Sequence, residues 1–358
     1  MKTNKERYMR KIELSRRDTG VLKGLAILGI ILHNFTHWLP YTVKESEYTY
    51  SFKWAYYMWD HIRTGYPPLP LDLFSYFGHY GVVVFVFLSG YGLVKKYESP
   101  EAAPVPFVPF VTYNARKLWR LMIPAWLLFM VVDTWLEGTF RFAPLDILLQ
   151  LLYLVNFSPA PSTHILPGPY WYLGLTMQLY VFYRLCLYRR GRLMLWLSAI
   201  ACLGVQLVLL YWGTRQADVW LQYVRYNFLG SLLPFVLGVS AARYGWNWPV
   251  SRWANALLVP VLCALVMDGC YNRYSWTIVP VLWIVLCLAV LRAVPDKVWR
   301  PMVWVGTVSA SVFVIHPSLR PLWLLPANAG WPYLSLLGYV ATTLLCAWLY
   351  HKLIRRRF

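Results

Sequence analysis

The chain has 358 residues, of which 59% are hydrophobic, 18% aromatic and only 14% charged, where a soluble domain carries about a quarter charged residues. With a mean hydropathy of +0.45, this composition excludes a soluble globular protein and indicates an all-α polytopic membrane protein. The 34 Lys and Arg outnumber the 15 Asp and Glu, but they fall in short clusters between apolar runs, which argues against a nucleic-acid-binding stripe and for topology signals.

The first run, 20–39, follows a basic N-terminal segment (1–19) and has no cleavage-site pattern, so it is expected to stay as a spanning helix. It carries Lys23 and, ten residues on, His33, with no ionisable group between them. A titratable imidazole inside a span is costly and marks a candidate site. Asn34 and His37 follow at its outer end.

The segment 40–78 reads as an aromatic outer loop, rich in Tyr and Trp from Tyr41 to Tyr76 and including Trp54, Tyr56 and Trp59. Rings of this kind can stack on a sugar acceptor or simply lie along the interface. The run 79–94 is punctuated by Gly78, Gly81, Gly90 and Gly92, which permit close helix approach. Arg116, Lys117 and Arg120 open the run 118–136. Arg116 and Arg120 share a helix face, suited to a phosphate group or to a topology anchor.

The run 145–157 is too short to span and is expected to be re-entrant or interfacial. Further runs cover 170–188, 193–212, 226–243, 253–269, 276–292, 301–319 and 333–351. Both ends are basic: Lys2, Lys5, Arg7, Arg10, Lys11, Arg16 and Arg17 at one, Lys352, Arg355, Arg356 and Arg357 at the other. The expectation is therefore about ten crossings, with both termini cytoplasmic. Arg225, Asn227, Asp133, Glu137 and Asp268 fall at outer span ends, where charge costs little.

Cys186, Cys202, Cys263, Cys270, Cys287 and Cys346 lie in or beside apolar runs without zinc spacing, which suits packing and gives no metal site. The sequence has no nucleotide-binding glycine loop, GxSxG elbow or HExxH pair. The chemistry must come from scattered intramembrane polar residues.

Five stretches, in order, resemble the motifs of the acyltransferase-3 family of bacterial membrane acyltransferases: Lys23 to His33, Gly81 to Gly90, Lys117 to Pro124, Trp171 to Leu173 and Gly306 to His316. The resemblance covers nearly the whole chain as one membrane-embedded domain, 1–358. It implies O-acyl transfer, most often acetyl, from cytoplasmic acyl-CoA to a hydroxyl of an envelope glycan or lipid-linked saccharide, in the bacterial inner membrane. By the same resemblance His33 is the general base or acyl relay, and Lys23, Arg116, Lys117 and Arg120 bind the CoA phosphates.

The chain departs from the family pattern at two places. Nine residues separate Lys23 from His33 where the family has ten, so Asn34 stands at the family's histidine position and His37 becomes a second candidate. Thr176 replaces an expected Glu, leaving Trp171, Gln178 and His316 as candidate substrate contacts, with an interfacial aromatic, a polar joint between helices and a backbone-satisfied helix-end histidine as their respective structural readings. A secondary transporter, or a non-catalytic membrane partner keeping the fold, is the alternative; no internal repeat supports the former. Membrane lipids are an expected partner and nucleic acid is not, while an oligomer is compatible with the sequence.

Overall fold

The computed structural model describes residues 9–11, 13–45 and 47–356. The basic residues Lys2, Lys5, Arg7 and Arg357, and the side chains of Arg10, Arg355 and Arg356, lie outside the described residues.

The architecture is helical almost throughout. In chain order the helices of eight residues or more are α1 (Arg16–Thr36), α2 (Phe52–Thr64), α3 (Leu69–Phe77), α4 (Gly81–Tyr97), α5 (Phe107–Glu137), α6 (Pro144–Leu151), α7 (Trp171–Phe182) and α8 (Arg192–Trp212). They continue with α9 (Arg215–Tyr226), α10 (Phe228–Tyr244), α11 (Arg252–Tyr271), α12 (Val279–Ala293), α13 (Arg300–Asn328) and α14 (Pro332–Arg356). Among the described residues the strands are β1 (Met9–Lys11) and β2 (Asn247–Pro249), an antiparallel pair with Arg10 opposite Trp248.

Among the described residues eight helical stretches are long and apolar enough to cross a membrane, and α9 with α10, bent by 45° at their break, bring the number to nine when counted as one span. The expected crossing at 170–188 corresponds to α7 and the π-helical turn Tyr183–Leu187 that continues it. The short run 145–157 forms α6, only 8 residues long, about 12 Å and far less than a bilayer core. The second span begins ten residues before its expected start, because Leu69–Tyr97 is one apolar stretch built from α3, a 3₁₀ turn at Gly78–Tyr80 and α4. The segment 40–78 is thus partly helical, and its last quarter, from Leu69, belongs to a span.

A capping box starts α1: the Ser15 hydroxyl accepts from the Asp18 amide at 3.0 Å, and the Asp18 carboxylate accepts from the Ser15 amide at 3.0 Å. Its apolar body is then held between two backbones. On one side a Cβ at Gly24 would stand 2.2 Å from the Met302 carbonyl of α13. On the other, a Cβ at Gly78 would stand 2.4 Å from the Gly29 carbonyl and 2.7 Å from the His33 Cβ. Without glycine at these points the helices could not meet so closely.

The break between α9 and α10 exposes backbone that a membrane protein must satisfy internally. Gln178 does this from α7, donating to the Asn227 side-chain oxygen at 2.9 Å and accepting from the Phe228 amide at 2.9 Å. Asn227 in turn donates to the carbonyls of Asn156 and Tyr223. At the opposite end of the bundle Glu98 accepts from Arg243 at 2.5 and 2.6 Å and from the Tyr183 hydroxyl at 2.7 Å, tying α4, α7 and α10 together.

The packing of Gly78 yields a test. Gly78→Ala is expected to cost about 1–3 kcal/mol through overpacking, read as a lowered melting temperature of the purified protein. Gly92→Ala, where a Cβ meets nothing within 4 Å, serves as the control and should not lower the melting temperature, since alanine favours the interior of a helix over glycine.

Candidate active site

Where α1 ends, the chain turns back and is strapped down. The Thr42 hydroxyl donates to the Thr36 and Leu39 carbonyls at 2.7 and 3.0 Å. The Lys44 ammonium donates to the carbonyls of His37 and Leu39 and lies 3.0 Å from the Thr42 hydroxyl. A cation at a helix C-terminus complements the free carbonyls there. Burial lowers this ammonium to about 8, against the opposing pull of Asp72.

The next residues fasten the strap to α3. The Val43 amide donates to Asp72 at 2.8 Å, and the Ser75 hydroxyl donates to the Val43 carbonyl at 2.5 Å. The second oxygen of Asp72 meets His61 of α2 at 2.8 Å. The Ser75 carbonyl is then 2.8 Å from His33 Nδ1. A carbonyl only accepts, so Nδ1 carries the proton and Nε2 keeps its lone pair.

Beyond Val43 the strap runs into the protein. Glu45 and His79, only 3% and 2% exposed, form a close ion pair, and Glu45 also accepts from the Trp276 indole at 3.0 Å. The Glu47 carboxylate lies 3.7 Å from His79 Nδ1. Burial raises that carboxyl above its ordinary value, with His79 pulling the other way. Arg225 donates to the Glu47 carbonyl at 2.6 Å and to Gln206 at 2.8 Å, with its guanidinium 3.6 Å from the Trp276 ring centroid. Tyr48 stacks on Tyr226 at 4.0 Å and meets Trp171 edge-on at 5.4 Å.

These groups surround a cavity of about 480 Å³. His33, Asn34 and His37 line it from α1, together with Glu47, Tyr48, His79, Trp171 and Arg320. The His33 ring centroid is 4.8 Å from that of His37 and 5.3 Å from that of His79. The three imidazoles therefore form one cluster. Among the described residues no group of three or more His, Cys, Asp or Glu is arranged to hold a metal ion.

The sequence candidates separate accordingly. His33, His37, Asn34 and Trp171 meet at the cavity. The Asn34 amide donates to the Ile30 carbonyl at 2.9 Å. Gln178 serves the α9–α10 break, and His316 is fully buried with Nδ1 3.2 Å from the Val312 carbonyl of its own helix; neither lines the cavity.

Lys23 lines a second cavity, of about 630 Å³, together with Glu13, Arg16, Tyr91 and Lys95. Arg116, Lys117 and Arg120 are exposed on α5 and do not line it. Of the loop aromatics, Tyr56 and Trp59 border a separate cleft with Asp60, Arg63 and Asp268, while Tyr48 is the one that reaches His33's cavity.

Sequence reasoning did not single out Glu45, Glu47, His79 or Arg320. The acids sit in a segment that looks extramembrane, and His79 looks like part of a glycine-rich packing motif. A signal was nevertheless present: two carboxylates shortly after the span that carries His33, and a histidine opening the next apolar run.

A family model described as an acyltransferase domain matches residues 19–351. No curated protein and no solved structure matches the chain.

The buried pair of Glu45 and His79 can be tested by double substitution. Glu45→Leu alone removes the closer of the two carboxylates that face His79, leaving Glu47 at 3.7 Å, and is expected to cost about 3 kcal/mol. Glu45→Leu combined with His79→Phe should recover part of that loss, measured as coupling between the two substitutions in unfolding experiments.

Proposed function

Because the chain belongs to the acyltransferase-3 family and is a multi-pass membrane acyltransferase, we propose that it carries an acyl group, acetyl in the simplest case, from cytoplasmic acyl-CoA to a hydroxyl of a cell-envelope saccharide. The bacterial cytoplasmic membrane is the corresponding location, with both basic termini inside. One observation carries the reading: a buried histidine, its Nδ1–H committed to the Ser75 carbonyl, borders a cavity large enough for a monosaccharide.

In this mechanism His33 Nε2 takes the proton of the acceptor hydroxyl as its oxygen attacks the thioester carbonyl. The tetrahedral intermediate collapses with cleavage of the C–S bond, and the imidazolium returns the proton to the departing thiolate. The Ser75 carbonyl dipole and the Glu47 carboxylate offset the transient positive charge. His37, beside His33, shapes the same wall and is the second candidate for proton transfer. Trp171 and Tyr48 offer ring faces to a sugar.

The donor's phosphates fit the Lys23 end of α1. Arg16, Lys23 and Lys95 line the cavity there, and Lys117 is near enough to Lys23 to act on it electrostatically. Arg116, Lys117 and Arg120 extend this positive field along α5. Lys23 and His33 are ten residues apart, about 15 Å along a helix, within reach of a donor anchored at one and reacting at the other.

The test is acyl transfer by protein in nanodiscs supplied with labelled acetyl-CoA. His33→Ala should lower transfer by about 10²–10⁴-fold, the usual worth of a general base, with acetyl-CoA binding retained. His37→Ala should cost less. Full activity in His33→Ala, or a bound thioester located far from its imidazole, would sink this mechanism.

A further inference from the structure

Among the described residues, each charged group around the His33 cavity has a partner of opposite charge, except for one. Arg141 is neutralised by Asp133 at 2.6 and 2.8 Å and lies 3.4 Å from Glu137. Glu47 faces His79. Arg320, contributed by α13 to the same wall, has no carboxylate partner among the described residues, and its Nε is buried without a hydrogen-bond acceptor. Its guanidinium stacks 4.6 Å from the centroid of the Trp38 ring, which fixes its plane without neutralising its charge.

An arginine on a spanning helix is costly, and leaving it without a counter-charge more so. Its fork of donors matches the oxygens of a carboxylate or phosphate. The nearby histidines His37 and His316 cannot supply that negative charge. The missing partner must therefore come from whatever fills the cavity.

Resting on the acceptor reading above, we propose that the acceptor is an anionic one: a hydroxylated molecule bearing a carboxylate or phosphate that pairs with Arg320 while its hydroxyl is presented to His33. Arg320 is then a specificity-determining residue. It selects the acceptor by charge, and the geometry of the pairing sets which hydroxyl reaches the imidazole.

The test is calorimetric binding of D-glucuronate, D-glucose 1-phosphate and D-glucose to the full chain in neutral phosphatidylcholine nanodiscs, which keep anionic headgroups out of the cavity. At least one anionic sugar should bind the unsubstituted protein about 10- to 100-fold more tightly than glucose, as a charge-assisted pair allows. The comparison of carboxylate with phosphate shows which oxyanion is taken. Arg320→Gln should bring all three to parity, and Arg320→Lys should keep part of the preference, separating loss of charge from loss of packing.

Equal binding of charged and neutral sugars by the unsubstituted protein, or an undiminished preference in Arg320→Gln, overturns the proposal. Transfer assays with the same sugars separate it from its premise. A charge preference in binding with no transfer to any acceptor leaves the anion site standing and removes the acyltransfer mechanism. Transfer that ignores acceptor charge does the reverse.

Discussion

The Ser75 carbonyl and hydroxyl organise the centre of this protein from one residue. The carbonyl fixes the tautomer of His33, and the hydroxyl holds the strap that closes over it through the Val43 carbonyl. Each bond is worth about 1 kcal/mol net, yet an unmade one in a dry interior costs more than that. Removing the strap would therefore free more than a loop: it would leave the Ser75 hydroxyl without its acceptor, beside the carbonyl against which the histidine is aligned. Gly78, three residues on, lets α3 and its turn lie directly against α1, so that this alignment is set by backbone contact.

Buried charge is tolerated here because it arrives in matched sets. Glu45 meets His79 and the Trp276 indole, and Arg225 meets Gln206, the Glu47 carbonyl and the face of Trp276. Each group loses water and regains partners, the condition under which ions survive away from solvent. The result is that a segment outside the apolar runs becomes interior. It adds two carboxylates to those of Asp133 and Glu137 on α5 around the histidines, and negative charge of this kind favours an imidazole that accepts a proton.

Much of the helical layout was legible because membrane spans announce themselves by local hydropathy. The boundaries of α8, α11, α12 and α14 fall within a few residues of their apolar runs, and the brevity of 145–157 was enough to mark α6 as unable to span. The site was legible only in part. His33 stands out because the cost of an imidazole in a span is a local property. The pairings of Glu45 with His79 and of Arg225 with the strap join positions separated by tens to hundreds of residues, which periodicity cannot see. Gln178 admitted two readings, a substrate contact or a polar joint between helices; its hydrogen bonds are those of the second, at a broken helix whose bend no local pattern displayed.

The spacing between Lys23 and His33 places Asn34 where the family resemblance leads one to expect histidine, and on an isolated helix a one-residue shift turns a side chain by about 100°. In this fold that rotation does not remove the imidazole from the site. The cavity wraps around the end of α1, and Ile30, His33, Asn34, His37 and Trp38 all border it. Such a wrapped wall admits either position. Chemistry then separates the two candidates: the Asn34 amide is bonded to the Ile30 carbonyl and offers no basic nitrogen, while His33 has one nitrogen oriented by Ser75 and the other with a free lone pair. The register shift thus moves the proposed base around the helix and leaves it facing the same space.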